Sequence, residues 1–158
     1  MQGQAQDCLN AIKGQLLHGD LDCLFKGVSI NSRTVSKGEL FVCVKGERFD
    51  GHNFLADAID KGAGGIILSD PEKLPGETGR VAEKPFVIQV PDTLKALQDL
   101  AGFQRKRFPF KVVAVTGTNG KSTTKEMIAS ILATKFKTLK TQGNLNNHIG
   151  LPLTLLKR

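Results

Sequence analysis

The chain has 158 residues, a formal net charge of +7 and a hydrophobic fraction of 40%, enough for a packed core. No apolar run approaches the roughly 20 residues of a membrane helix, and "MQGQAQDCLNAIKGQLLHGD" lacks the basic start and apolar stretch of a signal peptide, so a soluble cytoplasmic protein with no membrane span is expected. Cys8, Cys23 and Cys43 are widely spaced and the three histidines are scattered, which argues against a disulfide framework and a zinc site.

Leu9, Ile12, Leu16 and Leu17 recur at helical spacing and predict an opening helix. "ELFVCVKG", bounded by Gly38 and Gly46, is apolar and β-branched and predicts a buried strand, with Cys43 as a small core residue. Phe54, Leu55, Ala58 and Ile59 mark one face of a helix that stops near Gly62. "GGIILSD" predicts a second strand, "PEKLPGETGRVAEKP" a surface loop and "FVIQV" a third strand. Asp92 or Thr93 can cap the next helix, whose inner face is Leu94, Leu97 and Ala101 and which Pro109 ends. "VVAVTG" lacks polar alternation, as a strand covered on both faces does. Met127, Ile128, Ile131 and Leu132 predict a helix over 121–136. "KTLKT" then reads as a short strand and "QGNLNNHIGLP" as a polar loop before a last apolar segment.

Strands alternating with helices imply an α/β fold with parallel pairing. Two units are expected: a small N-terminal α/β domain over residues 1–90, and a second parallel α/β unit over 91–158. The second unit reads as incomplete, because a βα start needs further strands to cover its sheet. The basic cluster "RKRFPFK" has aromatics beside it, as single-strand nucleic-acid sites do. A solvated helix end followed by a proline turn accounts for it better, and no nucleic-acid partner is expected.

The chemistry concentrates in "TGTNGKST". Gly117 and Gly120 let backbone N–H groups turn inward around an anion, and the helix N-terminus adds partial positive charge. Lys121 can bridge β- and γ-phosphates, and the Ser122 hydroxyl can ligate Mg²⁺. The candidate triphosphate-binding set is thus Gly117, Thr118, Asn119, Gly120, Lys121, Ser122 and Thr123, with Lys121 as the candidate catalytic residue, and residues 91–158 are expected to be the first part of a P-loop-type parallel α/β ATPase domain. The spacing is G-x-x-G-K-S-T, tighter than the common G-x-x-x-x-G-K-[ST], since Val115 stands where the first glycine would be.

This loop, "TGTNGKSTTKEM", resembles that of the Mur ligases, ATP-dependent peptide ligases of cell-wall precursor synthesis; folylpolyglutamate and cyanophycin synthetases share its type. "INSRTVSKGELFVCVKGERFDGHNF" resembles the family's N-terminal domain with its N-S-R and D-G-H signatures. The resemblance implies that Ser32, Arg33, Lys45, Gly46, Asp50, Gly51 and His52 hold the UDP end of the substrate. Taken alone, Ser32 and Arg33 read as an ordinary polar turn, and His52 equally as a neighbour of a helix cap. "TQGNLNNHIGLP" looks like the segment of the branch that adds D-alanyl-D-alanine to UDP-N-acetylmuramoyl-tripeptide. It implies that Asn144 and Asn147 contact nucleotide or substrate; an Asn-rich turn satisfying its own backbone is the alternative.

What the resemblance implies is ligation through an acyl phosphate. The γ-phosphoryl of ATP goes to the tripeptide carboxylate, and the amine of D-alanyl-D-alanine displaces phosphate, with Mg²⁺ assisting. The complete enzyme is implied to be a monomer. Family members carry further acidic and histidine magnesium ligands and a C-terminal domain, so this chain is expected to be an inactive fragment. Two alternatives stay open: the related ligase that adds the third peptide residue, and a non-catalytic module that binds a UDP precursor.

Overall fold

Short strands and helices alternate along the chain from its first residues. The computed structural model describes residues 1–46, 49–75, 85–143 and 145–157. The elements in order are β1 (Gln2–Gln4), α1 (Ala5–Ile12), β2 (Gln15–His18), β3 (Leu24–Lys26), β4 (Val28–Ser29) and β5 (Leu40–Val42). After a 3-10 turn at Gly51–Phe54 come α2 (Leu55–Asp60) and β6 (Gly65–Leu68). A second 3-10 turn, Pro71–Lys73, precedes β7 (Phe86–Gln89), α3 (Thr93–Arg107), α4 (Lys121–Ala133) and α5 (Gly150–Leu156).

Strands β4 to β7 pair in parallel, and β2 closes the sheet antiparallel to β7, giving the order β2-β7-β6-β5-β4. β1 and β3 form a separate antiparallel pair. The expected α/β fold with parallel pairing is what the chain adopts.

Strand side chains alternate between two faces, and both faces are covered here. Leu40, Val42, Ile67, Phe86 and Ile88 join Ala5, Cys8 and Ile12 of α1, Leu97 and Leu100 of α3, and Leu156 of α5. Phe41, Cys43, Ile66, Leu68 and Val87 face the other way, onto Leu55, Ala58 and Ile59 of α2. Each fully buried Leu, Ile or Phe contributes about 1.5–3 kcal/mol. Burial, followed by nearby Asp7, pushes the Cys8 thiol up to about 12. Burial, followed by Asp50, also raises the Cys43 thiol. Both are core residues. The Asp92 carboxylate caps α3, accepting from the amides of Leu94 and Lys95 at 2.8 and 3.0 Å.

Three expectations are corrected. The opening helix ends at Ile12 and does not extend to Leu16 and Leu17. Lys13 turns left-handed at φ 52°, and Leu16 instead pairs with Ile88 across the sheet. "VVAVTG" forms no strand, because no neighbouring strand pairs with it among the described residues. Val112 is accordingly 61% exposed. "KTLKT" forms no strand for the same reason. The helix read over 121–136 is α4, and its apolar residues Met127 and Ile131 face solvent. Of the expected surface loop after Asp70, residues 76–84 lie outside the described residues.

Candidate functional site

Parallel pairing sends the loops after β4, β5 and β6 to one edge of the sheet, where ligands bind in open α/β folds. Ser32 and Arg33 follow β4, while Lys45, Gly46, Asp50, Gly51 and His52 follow β5. The topology therefore gathers all seven at the carboxyl edge.

The Asn31–Arg33 stretch is a turn closed by its first side chain. Asn31 Oδ1 accepts from the Arg33 amide at 3.0 Å, and the Asn31 carbonyl accepts from the amides of Thr34 and Val35. Ser32 is buried and the Arg33 side chain is exposed. Lys61, just past α2, donates to the carbonyls of Ser32 and Arg33 at 2.6 and 3.0 Å, fixing the turn from below.

The Asp50–His52 stretch is more tightly bound. Gly51 approaches the end of β5 so closely that a Cβ would lie 2.9 Å from the Cys43 backbone, so only glycine fits. Asp50 Oδ1 accepts from the His52 amide at 3.0 Å and from its Nδ1 at 2.6 Å. His52 Nε2 accepts from the Ser69 amide at 2.9 Å, so the ring proton sits on Nδ1. Asp50 Oδ2 accepts from Lys73 Nζ at 2.7 Å. Burial alone would raise the Asp50 carboxyl, but the bonds from Lys73 and His52 outweigh it and hold it well below the usual carboxylate range. Lys45 and Gly46 are exposed, and the Gly46 amide donates to the Phe49 carbonyl at 2.7 Å.

The second cluster opens α4. Gly117 and Gly120 take φ 143° and 75°, and Gly120 caps the helix in a left-handed turn. The amides of Lys121, Ser122 and Thr123 occupy the first helical turn, where no intrahelical carbonyl reaches them. Lys121 Nζ donates to the carbonyls of Gly117 and Thr118 at 2.6 and 3.3 Å, and Ser122 and Thr123 are exposed. This set of ammonium, hydroxyls and helix-start amides fits the phosphates of a nucleotide. For Mg²⁺ the cluster offers the Ser122 hydroxyl; among the described residues no group of three acidic, His or Cys side chains adds to it.

Lys125, one turn further along α4, donates to the carbonyls of Thr141 and Gly143 at 2.6 and 3.1 Å, bringing the Asn-rich loop against α4. Asn147 Oδ1 accepts from the amides of Ile149 and Gly150 at 3.2 and 2.7 Å, so this side chain satisfies its own backbone at the start of α5. Asn144 lies outside the described residues. Sequence reasoning missed Lys61, Ser69, Lys73 and Lys125. Each acts on backbone or side chains 16 or more residues away, so no local pattern marks it.

Comparison with known proteins gives two matching family models: "Mur ligase family, catalytic domain" over residues 24–105, and "Mur ligase middle domain" over residues 115–158. The chain is 41% identical over 146 residues to the UDP-N-acetylmuramoyl-tripeptide–D-alanyl-D-alanine ligase of Bacillus subtilis, covering 92% of this chain and 31% of that protein. Among solved structures, MurF from Acinetobacter baumannii superposes with a TM-score of 0.86 at 35% identity, over 100% of this chain and 33% of that one. MurF ligase from Thermotoga maritima, solved in complex with ADP, gives 0.68 at 37% identity over 83% of this chain and 29% of that one. The chain thus spans about a third of the length of these relatives.

Proposed function

The chain belongs to the Mur ligase family, and on that premise we propose that it is the substrate-entry part of an ATP-dependent ligase joining D-alanyl-D-alanine to UDP-N-acetylmuramoyl-tripeptide. Residues 1–90 form the UDP-substrate-binding domain and 91–158 the first part of the ATP-binding domain, in a cytoplasmic, monomeric enzyme. No helix among the described residues is long and apolar enough to cross a membrane.

The observation that carries this reading is the Lys121 ammonium held over a glycine-framed loop at the start of a helix. ATP supplies the phosphoryl group that activates the substrate carboxylate. With ATP bound, Lys121 would neutralise β- and γ-phosphate oxygens, the amides of 118–123 would orient them, and Ser122 would offer its hydroxyl to Mg²⁺. Catalysis of this kind is mostly positioning and charge neutralisation, which these groups at the start of α4 suit. Asn147 belongs on the side where nucleotide and substrate carboxylate meet, with Lys125 holding its loop; Asn144, assigned the same role, lies outside the described residues.

At the carboxyl edge, Ser32, Arg33, Lys45, Gly46, Asp50, Gly51 and His52 form the wall that receives the UDP end. Exposed guanidinium and ammonium groups there suit a diphosphate. Calorimetry on the chain tests both halves: heat with ADP and, separately, with UDP-N-acetylmuramoyl-tripeptide supports the reading. A coupled phosphate-release assay tests the activity. The 158-residue chain alone is expected to give no D-alanyl-D-alanine-dependent turnover, and clear turnover would refute that part.

A further inference from the structure

We propose that His52 is a positioning residue. Its neutral ring, clamped between Asp50 and Ser69 with Lys73 closing the far side, sets the shape of the wall that receives the substrate's diphosphate. The inference rests on the assignment of the carboxyl edge as the UDP site.

His52 is 2% exposed, and both ring nitrogens are already engaged, so the ring has no polar atom to offer a ligand. What it joins is informative. Asp50 and His52 lie in the turn that follows β5, and Ser69 is the first residue past the neighbouring strand β6. The imidazole therefore ties together two adjacent loops of the carboxyl edge. It does so in one tautomer only: the Ser69 amide donates to Nε2, with the Ser69 hydroxyl 3.3 Å from the same atom, and Nδ1–H faces the carboxylate.

Lys73 repeats the link from outside. Its Nζ reaches Asp50 Oδ2 at 2.7 Å and Asn53 Oδ1 at 3.2 Å, tying the Pro71–Lys73 turn to the Gly51–Phe54 turn. Asp50 is the hub, with one oxygen on His52 and the other on Lys73. The exposed groups of the wall, Lys45 and Arg33, are left to meet phosphate oxygens, and the network around the buried His52 ring holds the wall's shape. A wall fixed before the ligand arrives has less ordering to do on binding.

The test is calorimetry with UDP-N-acetylmuramoyl-tripeptide on the 158-residue chain, paired with thermal melts. His52→Asn keeps a donor toward Asp50 but removes the acceptor for the Ser69 amide. His52→Gln keeps an acceptor toward Ser69 but removes the donor toward Asp50. Each is expected to weaken binding about 10-fold at a temperature where the variant is still folded. Lys73→Met, altering an exposed ammonium, is expected to weaken it about 3-fold. A folded His52 variant with a lower melting temperature and a wild-type Kd overturns the proposal, since a purely architectural histidine would behave so. If both His52 variants fail to fold, Lys73→Met decides: an unchanged Kd overturns the proposal, and a weakened one supports it. Absence of binding by the unsubstituted chain overturns the UDP-site assignment first and this inference with it, a result distinct from equal binding by wild type and variants.

Discussion

The ammonium of Lys121 lies 2.6 Å from the carbonyl oxygen of Gly117, four residues before it, so the lysine is folded back over its own loop. A neutral carbonyl is a weaker partner than a phosphate oxygen, and an arriving nucleotide can take the ammonium over without breaking the fold. Lys121→Ala should therefore weaken ADP binding by at least 10-fold, about 1.4 kcal/mol, as loss of a charge-assisted hydrogen bond implies. Stability should change by no more than about 0.5 kcal/mol, as for other surface substitutions. Calorimetry and thermal melts read the two quantities separately, and wild-type ADP affinity in the variant would sink the cradle assignment.

Gly120 makes a second, conformational contribution to the same loop. Its φ of 75° is one that an L side chain adopts at a cost of about 1–2 kcal/mol, while no heavy atom lies within 4 Å of an added Cβ. Gly120→Ala should thus act through the backbone and not through a clash. The loop must either strain or reorient the first amides of α4, so both melting temperature and ADP affinity should fall. An alanine variant with both unchanged would show that the left-handed turn is dispensable.

The parts of the fold that were legible are those whose signal is local. Short apolar, β-branched runs mark β5, β6 and β7, Asp92 stands where a cap of α3 is expected, and the Gly-x-x-Gly-Lys spacing marks the turn into α4. The parts that were not legible depend on partners distant in sequence. Leu16 and Leu17 fit a helical period, yet the left-handed Lys13 ends α1 and the sheet edge at β7 claims Leu16. Val112 to Val115 has strand composition, but a strand also needs a neighbour to bond, and composition cannot supply one. At the site, the D-G-H stretch was visible, while the Ser69 and Lys73 contacts that hold it were not.

Asp50 supplies a pH dependence with a definite sign. Its carboxyl lies below the usual range in the folded chain because Lys73 and His52 together outweigh the opposing effect of burial. Such a group contributes stability that is fully present above its unfolded pKa, near 4, and is lost as pH falls toward the folded value. Asp50→Asn retains a side-chain oxygen to cap the His52 amide but removes the charge. The variant should be less stable at neutral pH, and its melting temperature should fall less steeply than wild type between about pH 5 and pH 2. Melting curves that shift in parallel across that range would contradict the assignment.

Lys125 links α4 to the Asn-rich loop through two backbone carbonyls, those of Thr141 and Gly143. Its stem is largely covered, with the side chain 18% exposed, and its ammonium also lies 3.1 Å from Glu126. Glu126 in turn bonds Lys140, so two cations from either side of the loop's approach share one carboxylate. Replacing Lys125 by Met keeps the apolar stem and removes the donor. Loss of hydrogen bonds from a charged donor costs about 1.5–3 kcal/mol locally. The cost should appear as faster hydrogen exchange at residues 141–143 and 145–149, with exchange in the β5–β7 core unchanged. If the loop serves the nucleotide site, the same variant also weakens substrate-dependent turnover in the complete enzyme, and Lys125→Arg, which can still donate to both carbonyls, restores part of it. Unchanged exchange in the Met variant would mean that the loop holds its position without Lys125.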